Sequence, residues 1–458
     1  MFNLTFLKLN KIPILLAFLS VVFYISFAYD LSRTDYLKLI TLYLGLFFLF
    51  YKLIQLQKHS INFLLVIAIG FRLIFLFAIP NLSQDFYRFI WDGRMILEGL
   101  NPYLYTPESF ILKGELPVFQ ALELYTGMGE LNGSHFTNYP PLNQLCFTIA
   151  GLLAGKSILG SAMVMRCIII LADLGTLYFG KKLLERLKIP VHHIFWYILN
   201  PFIIIELTGN LHFEGLMLFF LVWSLYLLHC GKWKVAAVIF ACSVSVKLIP
   251  LIFLPLLFQH FLKNQSVSVF KRLKNPFGFY TIVGLVTLLF FLPFYSSQFI
   301  LNYTNTVALW FQRFEFNASL YYIAREIGYS FRGYNEIAII GKYIILLVIA
   351  FVFLIAIFRK NKTHIQLITG MLLVLSFYYF TATTVHPWYI ATLLLLSIFT
   401  RYKFPLVWSC VIILSYLAYA NAENKENLWI IGLEYLIVFG VFIWEVVIKK
   451  GHSSRVAL

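Results

Sequence analysis

The chain has 458 residues, of which 61% are hydrophobic and only 12% are charged, and its formal net charge is +16. A soluble domain carries about 25% charged residues, so this composition excludes an ordinary water-soluble globule and points to a chain solvated mainly by lipid. The positive balance does not indicate nucleic acid: the basic residues stand in short clusters between apolar runs, where they act as topology signals.

A bilayer core needs about 20 apolar residues per helix. In chain order, the apolar runs predict spans at 12–29, 36–54, 61–80, 161–183, 191–208, 213–229, 234–249, 250–262, 277–295, 337–358, 364–383, 387–400, 404–420 and 428–448. The runs 250–262 and 387–400 are short for spans. The first run follows Lys8 and Lys11 and ends in Ser26-Phe27-Ala28; it exceeds a signal-peptide core of about 7–15 residues and reads as a retained helix. The stretch 141–156 is also apolar but reads as interfacial or re-entrant. Counting it as a span would put Lys181, Lys182, Arg186 and Lys188 outside, against the positive-inside rule.

With the N-terminus inside, the basic clusters at 181–188, 263–274, 359–362 and 449–450 all fall on the cytoplasmic side, while Asp85, Asp92, Glu214, Glu315 and Glu423 fall outside. The expectation is one all-α polytopic domain over 1–458, with about 12–14 transmembrane helices and both termini cytoplasmic. Two long extracytoplasmic loops follow from that layout, 81–160 and 296–336. Residues 263–276 read as a basic cytoplasmic loop. Cys146, Cys167, Cys230, Cys242 and Cys410 show no CxxC pairing and read as buried free thiols with no metal site.

Polar groups are costly in a membrane protein, so their placement is informative. Here they gather at the outward ends of the spans. The first long loop begins Asn81-Leu82-Ser83-Gln84-Asp85-Phe86-Tyr87-Arg88-Phe89-Ile90-Trp91-Asp92-Gly93-Arg94. Ser83 reads as an N-cap that starts a helix near Gln84. Spacing then puts Asp85, Arg88 and Asp92 on one face and turns Phe86, Phe89 and Ile90 elsewhere. Gly99-Leu100-Asn101-Pro102-Tyr103 and Tyr139-Pro140-Pro141-Leu142 are turn-forming and aromatic.

Further along, Arg166 and Asp173 share a helix face inside one span, as a structural ion pair with other helices would require. Asn200-Pro201 interrupts the next span, and His212 and Glu214 sit in a very short outward turn. Lys247, at the outer end of an apolar run, needs an anionic partner, either a protein carboxylate or a bound phosphate. His386-Pro387-Trp388-Tyr389 forms another outward turn, and the second long loop contributes Arg313, Glu315, Asn317, Tyr321, Tyr322 and Arg325.

These motifs, in this order, resemble the GT-C superfamily of integral-membrane glycosyltransferases, and most of all the polyprenol-phosphate-mannose-dependent mannosyltransferases. The layout is similar to that of GPI mannosyltransferase I and closer to bacterial relatives. The resemblance implies a GT-C fold, an extracytoplasmic active site, a polyprenyl-phosphate sugar donor, a glycan or glycolipid acceptor and inversion at the anomeric carbon. It assigns the essential acid of the first external loop to Asp85, with Asp92 as a second catalytic carboxylate. Relatives often carry an Asp-x-Asp pair there, whereas this chain has Asp85-Phe86-Tyr87; a divalent metal (Mg2+ or Mn2+) is left open and no metal ligands are assigned.

On this reading Asp85 is the general base, kept ionised by its helix N-terminus. Lys247, Arg88, Arg313 and Arg94 bind the donor phosphate, and His212, Glu214, His386, Tyr87 and Tyr139 orient sugar or phosphate. The Ile, Lys, Asn and Phe usage suggests a bacterial inner membrane. Two rival classes are a lipid-linked sugar polymerase or ligase and a transporter or flippase. No internal repeat is visible and the inward ends carry only topology charges, which weighs against transport. The largest polar loop comes early rather than late, which weighs against a polymerase.

Overall fold

The structure, a computed structural model, describes residues 10–262, 269–421 and 423–448. Each predicted span is a helix or a bent pair of helices. Helices α1 (Lys11–Tyr29), α2 (Tyr36–Gln57) and α3 (Ile61–Ile74) lead into the first long loop, which folds into α4 (Asp85–Leu97), α5 (Pro107–Leu112), α6 (Ala121–Gly133) and α7 (Pro141–Ala154). The long α8 (Ile158–Leu187) follows, then α9, which runs Val191–Ile198 and Pro201–Gly209 with a 49° bend between its halves. The chain continues through α10 (Glu214–His229), α11 (Trp233–Val246), α12 (Ile249–Phe261) and α13 (Val269–Phe291). The second long loop holds α14 (Ser297–Gln312) and α15 (Leu320–Arg332). After it come α16 (Ile337–Phe358), α17 (His364–Thr381), α18 (Pro387–Ser397), α19 (Phe404–Ala420) and α20 (Leu428–Ile448).

Among the described residues, seven helices are long and apolar enough to cross a membrane, or eight if α9 counts as one bent span. The remaining predicted spans are apolar helices of 10–17 residues. At 1.5 Å per residue these fall short of a bilayer core unless flanking chain completes them, which is why a length rule and the structure count differently. The stretch around 141–156 is a regular 14-residue helix, α7, packed against α4 and α8. Of the basic loop read at 263–276, residues 263–268 lie outside the described residues, and 269–276 already belong to α13. Lys8 and the pair at 449–450 also lie outside them.

Local sequence sets the element boundaries. Asp35 accepts the backbone N–H of Lys38 to start α2, Ser157 accepts that of Gly160 to start α8, and Thr363 with Gln366 forms a capping box on α17. In α9 the Asn200 side chain accepts the N–H of Phe202, and Pro201 sits at the first helical position. Proline has no N–H to continue the preceding helix, so the span bends there.

Two polar features lie inside the helical layer. Arg72 of α3 donates to Asp173 of α8 at 2.7 Å, both 2% exposed. This is the interhelical pair that Asp173 required. Arg166 instead donates to the carbonyls of Leu76, Thr208 and Gly209 at 2.9–3.0 Å, satisfying helix-end carbonyls that would otherwise be orphaned. The cysteines are free thiols as expected, but only Cys146 is buried: Cys167 is exposed on α8 and the other three are intermediate. A spanning helix turns one side to lipid, and a thiol is apolar enough to stand there.

Candidate active site

One end of the bundle, where the two long loops meet the turns after α9 and α17, encloses a cavity of about 870 Å³. Its first wall is α4. The helix starts at Asp85 with Gln84, not the expected Ser83, at its N-cap; Ser83 instead accepts the backbone N–H of Asp85 at 3.3 Å just ahead of the first turn. The apolar face of α4 is fixed by aromatic packing: Phe89 stacks on Phe147 at 4.5 Å and meets Tyr139 and Phe213 edge-on. Gly93 lets this helix touch α7, because a Cβ there would collide with the carbonyl of Phe147. The Asp-Gly pair in the motif therefore has a packing reason as well as a chemical one.

Asp85 lines the cavity, half-buried, and accepts a hydrogen bond from the Asn132 side chain at 3.2 Å. Burial raises its pKa above the ordinary carboxylate value, the Asn132 bond and the Lys247 charge pull it back, and Glu214 raises it again. A helix N-terminus, worth about 0.3–1 kcal/mol and up to about 2 kcal/mol at a partly buried site, acts against burial and favours the ionised form.

Opposite stands Lys247, at the C-terminal end of α11, paired with Glu214 at the start of α10; both line the cavity. The protein carboxylate that Lys247 required is thus Glu214, and it leaves ammonium donors unused. The ammonium also lies 5.9 Å from the Tyr389 ring. Next to Lys247 the lining turns aliphatic, with Leu248, Ile249 and Ile252 facing Ile344, Ile345, Val348 and Ile349 of α16. The turn after α17 supplies a ring stack: His386 on Trp388 at 4.6 Å, and Trp388 on His212 at 3.7 Å. Burial, with Lys247 nearby, pushes His386 down to about 3 and holds His212 well below its usual value, so both imidazoles are neutral. His386 and Tyr139 line the cavity, while His212 lies behind Trp388, 3.8 Å from Glu206.

The remaining candidates are set differently. Arg88 borders the cavity with part of its fork committed, Nε to Asp92 at 2.8 Å and Nη1 to the carbonyls of Asn132 and His135 at 2.6 and 2.8 Å, while Nη2 has no partner among the described residues. Asp92 is fully buried behind it, its other oxygen accepting from Gln144 at 3.0 Å. The expected shared face of α4 exists, and it divides into Asp85 on the cavity and an Arg88–Asp92 pair that ties down the chain carrying Asn132. Arg94 donates to the carbonyls of Phe119 and Lys156 and Arg313 is exposed; neither borders the cavity. Tyr87 turns away as well, packing on Phe86 and Gly127.

Three cavity residues had no sequence signal. Asn132 belongs to an Asn-Gly pair that reads as an ordinary turn. Arg33 and Tyr419 lie near opposite ends of the chain and meet only in the fold, the guanidinium 4.8 Å from the ring centroid. Among the described residues, no group of three or more His, Cys, Asp or Glu side chains is arranged to hold a metal ion.

Residues 19–263, more than half of the chain, match the family model of the alpha-(1->6)-mannopyranosyltransferase N-terminal domain. The chain belongs to this mannosyltransferase family. No curated protein sequence matches it. Membership in a GT-C type family of glycosyltransferases agrees with the resemblance carried by the first-loop motif and with the all-α membrane architecture. The matched region spans the positions of Asp85, Glu214 and Lys247. A membrane mannosyltransferase needs a place where a sugar, a leaving group and an acceptor hydroxyl meet away from bulk water, and this cavity has the size of a substrate site.

Proposed function

We propose that this mannosyltransferase moves mannose from a polyprenyl monophosphate to a hydroxyl of an extracytoplasmic glycan or glycolipid by single displacement. The observation that carries the reading is the joint lining of one cavity by Asp85, the Glu214-held Lys247 and an aliphatic wall. The acceptor oxygen attacks C1 as the C1–O bond to phosphate breaks. Asp85 takes the acceptor proton, and the polyprenyl phosphate leaves with the bonding pair. Lys247 neutralises charge on the leaving phosphate in a low-dielectric site, where such a contact is most effective. The aliphatic wall takes the first isoprene units. A base with a raised pKa suits this role, since proton transfer is most efficient when the base's pKa lies near the working pH. The family's named activity forms alpha-(1->6) linkages; inversion yields an alpha product from a beta-linked donor.

Asp92 and Arg88 serve here as positioning groups, and His386 and Tyr139 as walls of the sugar site. Charge bias supports a cavity facing outside and both ends of the chain in the cytoplasm, and the Ile, Lys, Asn and Phe usage supports a bacterial inner membrane. The test is transfer from radiolabelled polyprenyl-phosphate mannose by purified protein in liposomes, with Asp85→Asn alongside. The reading requires donor consumption by the wild type and a loss of at least about a hundredfold in the variant. Equal activity of the two would remove Asp85 as base.

A further inference from the structure

The cations around the cavity are not equivalent. Arg88 spends Nε and Nη1 on Asp92 and two backbone carbonyls, and its Nη2 is buried without a partner among the described residues. Lys247 sits against Glu214 and the aliphatic wall. Arg33, in the turn between α1 and α2, makes one hydrogen bond among the described residues, to the Gln84 side chain at 3.3 Å. Gln84 immediately precedes Asp85, and its amide is anchored to the Met128 carbonyl at 2.9 Å. Arg33 is therefore held beside the proposed base with most of its five N–H donors unused.

The planar guanidinium lies over Tyr419, 4.8 Å from the ring centroid, a geometry that fixes its orientation. The Tyr419 hydroxyl makes no hydrogen bond to protein among the described residues, and both residues line the cavity. Two carboxylates, Asp85 and Glu426, line the same cavity as Tyr419. A second phosphate placed at this end would meet those carboxylates, whereas a neutral polyol offers oxygens to Arg33 and hydroxyl protons to the acids. The aliphatic wall needed by a lipid tail lies instead beside Lys247.

We propose that Arg33 and Tyr419 form the acceptor subsite of this enzyme, holding the hydroxyls of a neutral hexoside so that its attacking oxygen faces Asp85. The inference rests on the donor assignment above, in which the polyprenyl phosphate occupies the Lys247 side. In an inverting displacement the acceptor and the leaving group lie on opposite sides of the reacting carbon, which assigns Arg33 to the acceptor and the Glu214-paired Lys247 to the leaving phosphate. Arg33 contributes through uncharged hydroxyls and Lys247 through a phosphate, so their loss has different signatures.

The experiment measures binding of two probes to purified full-length protein in detergent, octyl alpha-mannoside as acceptor mimic and farnesyl phosphate as donor mimic. Wild type, Arg33→Ala, Tyr419→Phe and Lys247→Ala are compared, with thermal unfolding to confirm that each is folded. Arg33→Ala is expected to weaken the mannoside by about tenfold or more, and Tyr419→Phe by a few-fold, with farnesyl phosphate changed less than about twofold. Lys247→Ala is expected to show the reverse pattern. Loss of farnesyl phosphate binding in Arg33→Ala with the mannoside unaffected would assign Arg33 to the donor and overturn the proposal. Wild type that binds no mannoside, or Arg33→Ala that binds both probes like wild type, overturns it too. If only Lys247→Ala behaves like wild type, the donor assignment fails while the role of Arg33 in mannoside binding stands. Should Arg33→Ala not fold, Arg33→Gln carries the same comparison, because it keeps the stem and a donor but not the fork.

Discussion

Replacing Asn132 with alanine removes the side-chain donor that reaches the Asp85 carboxylate at 3.2 Å. A hydrogen bond to a charged group contributes about 1.5–3 kcal/mol; at this length, and with Asp85 only half-buried, about 1 kcal/mol is a fair magnitude. The bond favours the ionised form and lowers the pKa, so its loss raises the pKa further. At 1.36 kcal/mol per unit, the acidic limb of kcat/KM should move up by roughly 0.5–1 pH unit. The plateau at higher pH should fall less than about tenfold, since the base itself is intact. The assay is donor consumption by purified protein across pH 4–9 (roughly the window that a raised carboxylate occupies). An acidic limb that stays in place, or moves down, would refute the view that Asn132 tunes the base. A fall in activity uniform across pH would mark Asn132 as structural only.

Asp85→Asn should abolish transfer without lowering thermal stability. Because the folded pKa of Asp85 is raised, the folded state binds the proton more tightly than the unfolded one. The carboxylate therefore costs stability as pH rises from the ordinary value near 3.9 through the folded pKa. Removing the charge should leave the melting temperature at neutral pH equal or higher, as read by fluorescence-monitored unfolding. Asp173→Asn breaks the buried pair with Arg72 and should destabilise by about 3–5 kcal/mol, whereas replacing both partners with leucine should cost far less; unfolding of the two variants in the same detergent separates the cases. Gly93→Ala places a methyl against the Phe147 carbonyl and should cost about 1–3 kcal/mol or more, with activity lost because α4 shifts Asp85. Size-exclusion yield and residual transfer test it together, and a fully active Gly93→Ala would contradict the close packing of α4 on α7.

The amino-acid order by itself determined the solvent and the helical class, and it marked where polar groups gather. Runs of apolar residues can hide their backbone polar groups in lipid only as helices, so the spans could be read from hydropathy. The Asp85 motif, with its three-and-four spacing, could be read as a helix face for the same local reason. Lys247 and Glu214 were visible as charges too costly to stand alone, although nothing in their sequence said that they pair with each other. The tertiary structure decided which charges serve the cavity and which serve the scaffold. Arg88, Arg94 and Asp92 look like Asp85 and Lys247 in sequence, but Arg88 and Arg94 donate to backbone carbonyls of remote loops, and Asp92 accepts from Arg88 and Gln144. It also brought Asn132, Lys247 and Glu214 into range of Asp85, neighbours that spacing along the chain does not reveal. Arg33, Asn132 and Tyr419 reached the site through contacts between segments up to 386 residues apart (419 minus 33). Hydropathy and spacing are properties of neighbours along the chain, whereas a hydrogen bond across a cavity depends on where packed helices bring distant residues, and only the packing records that.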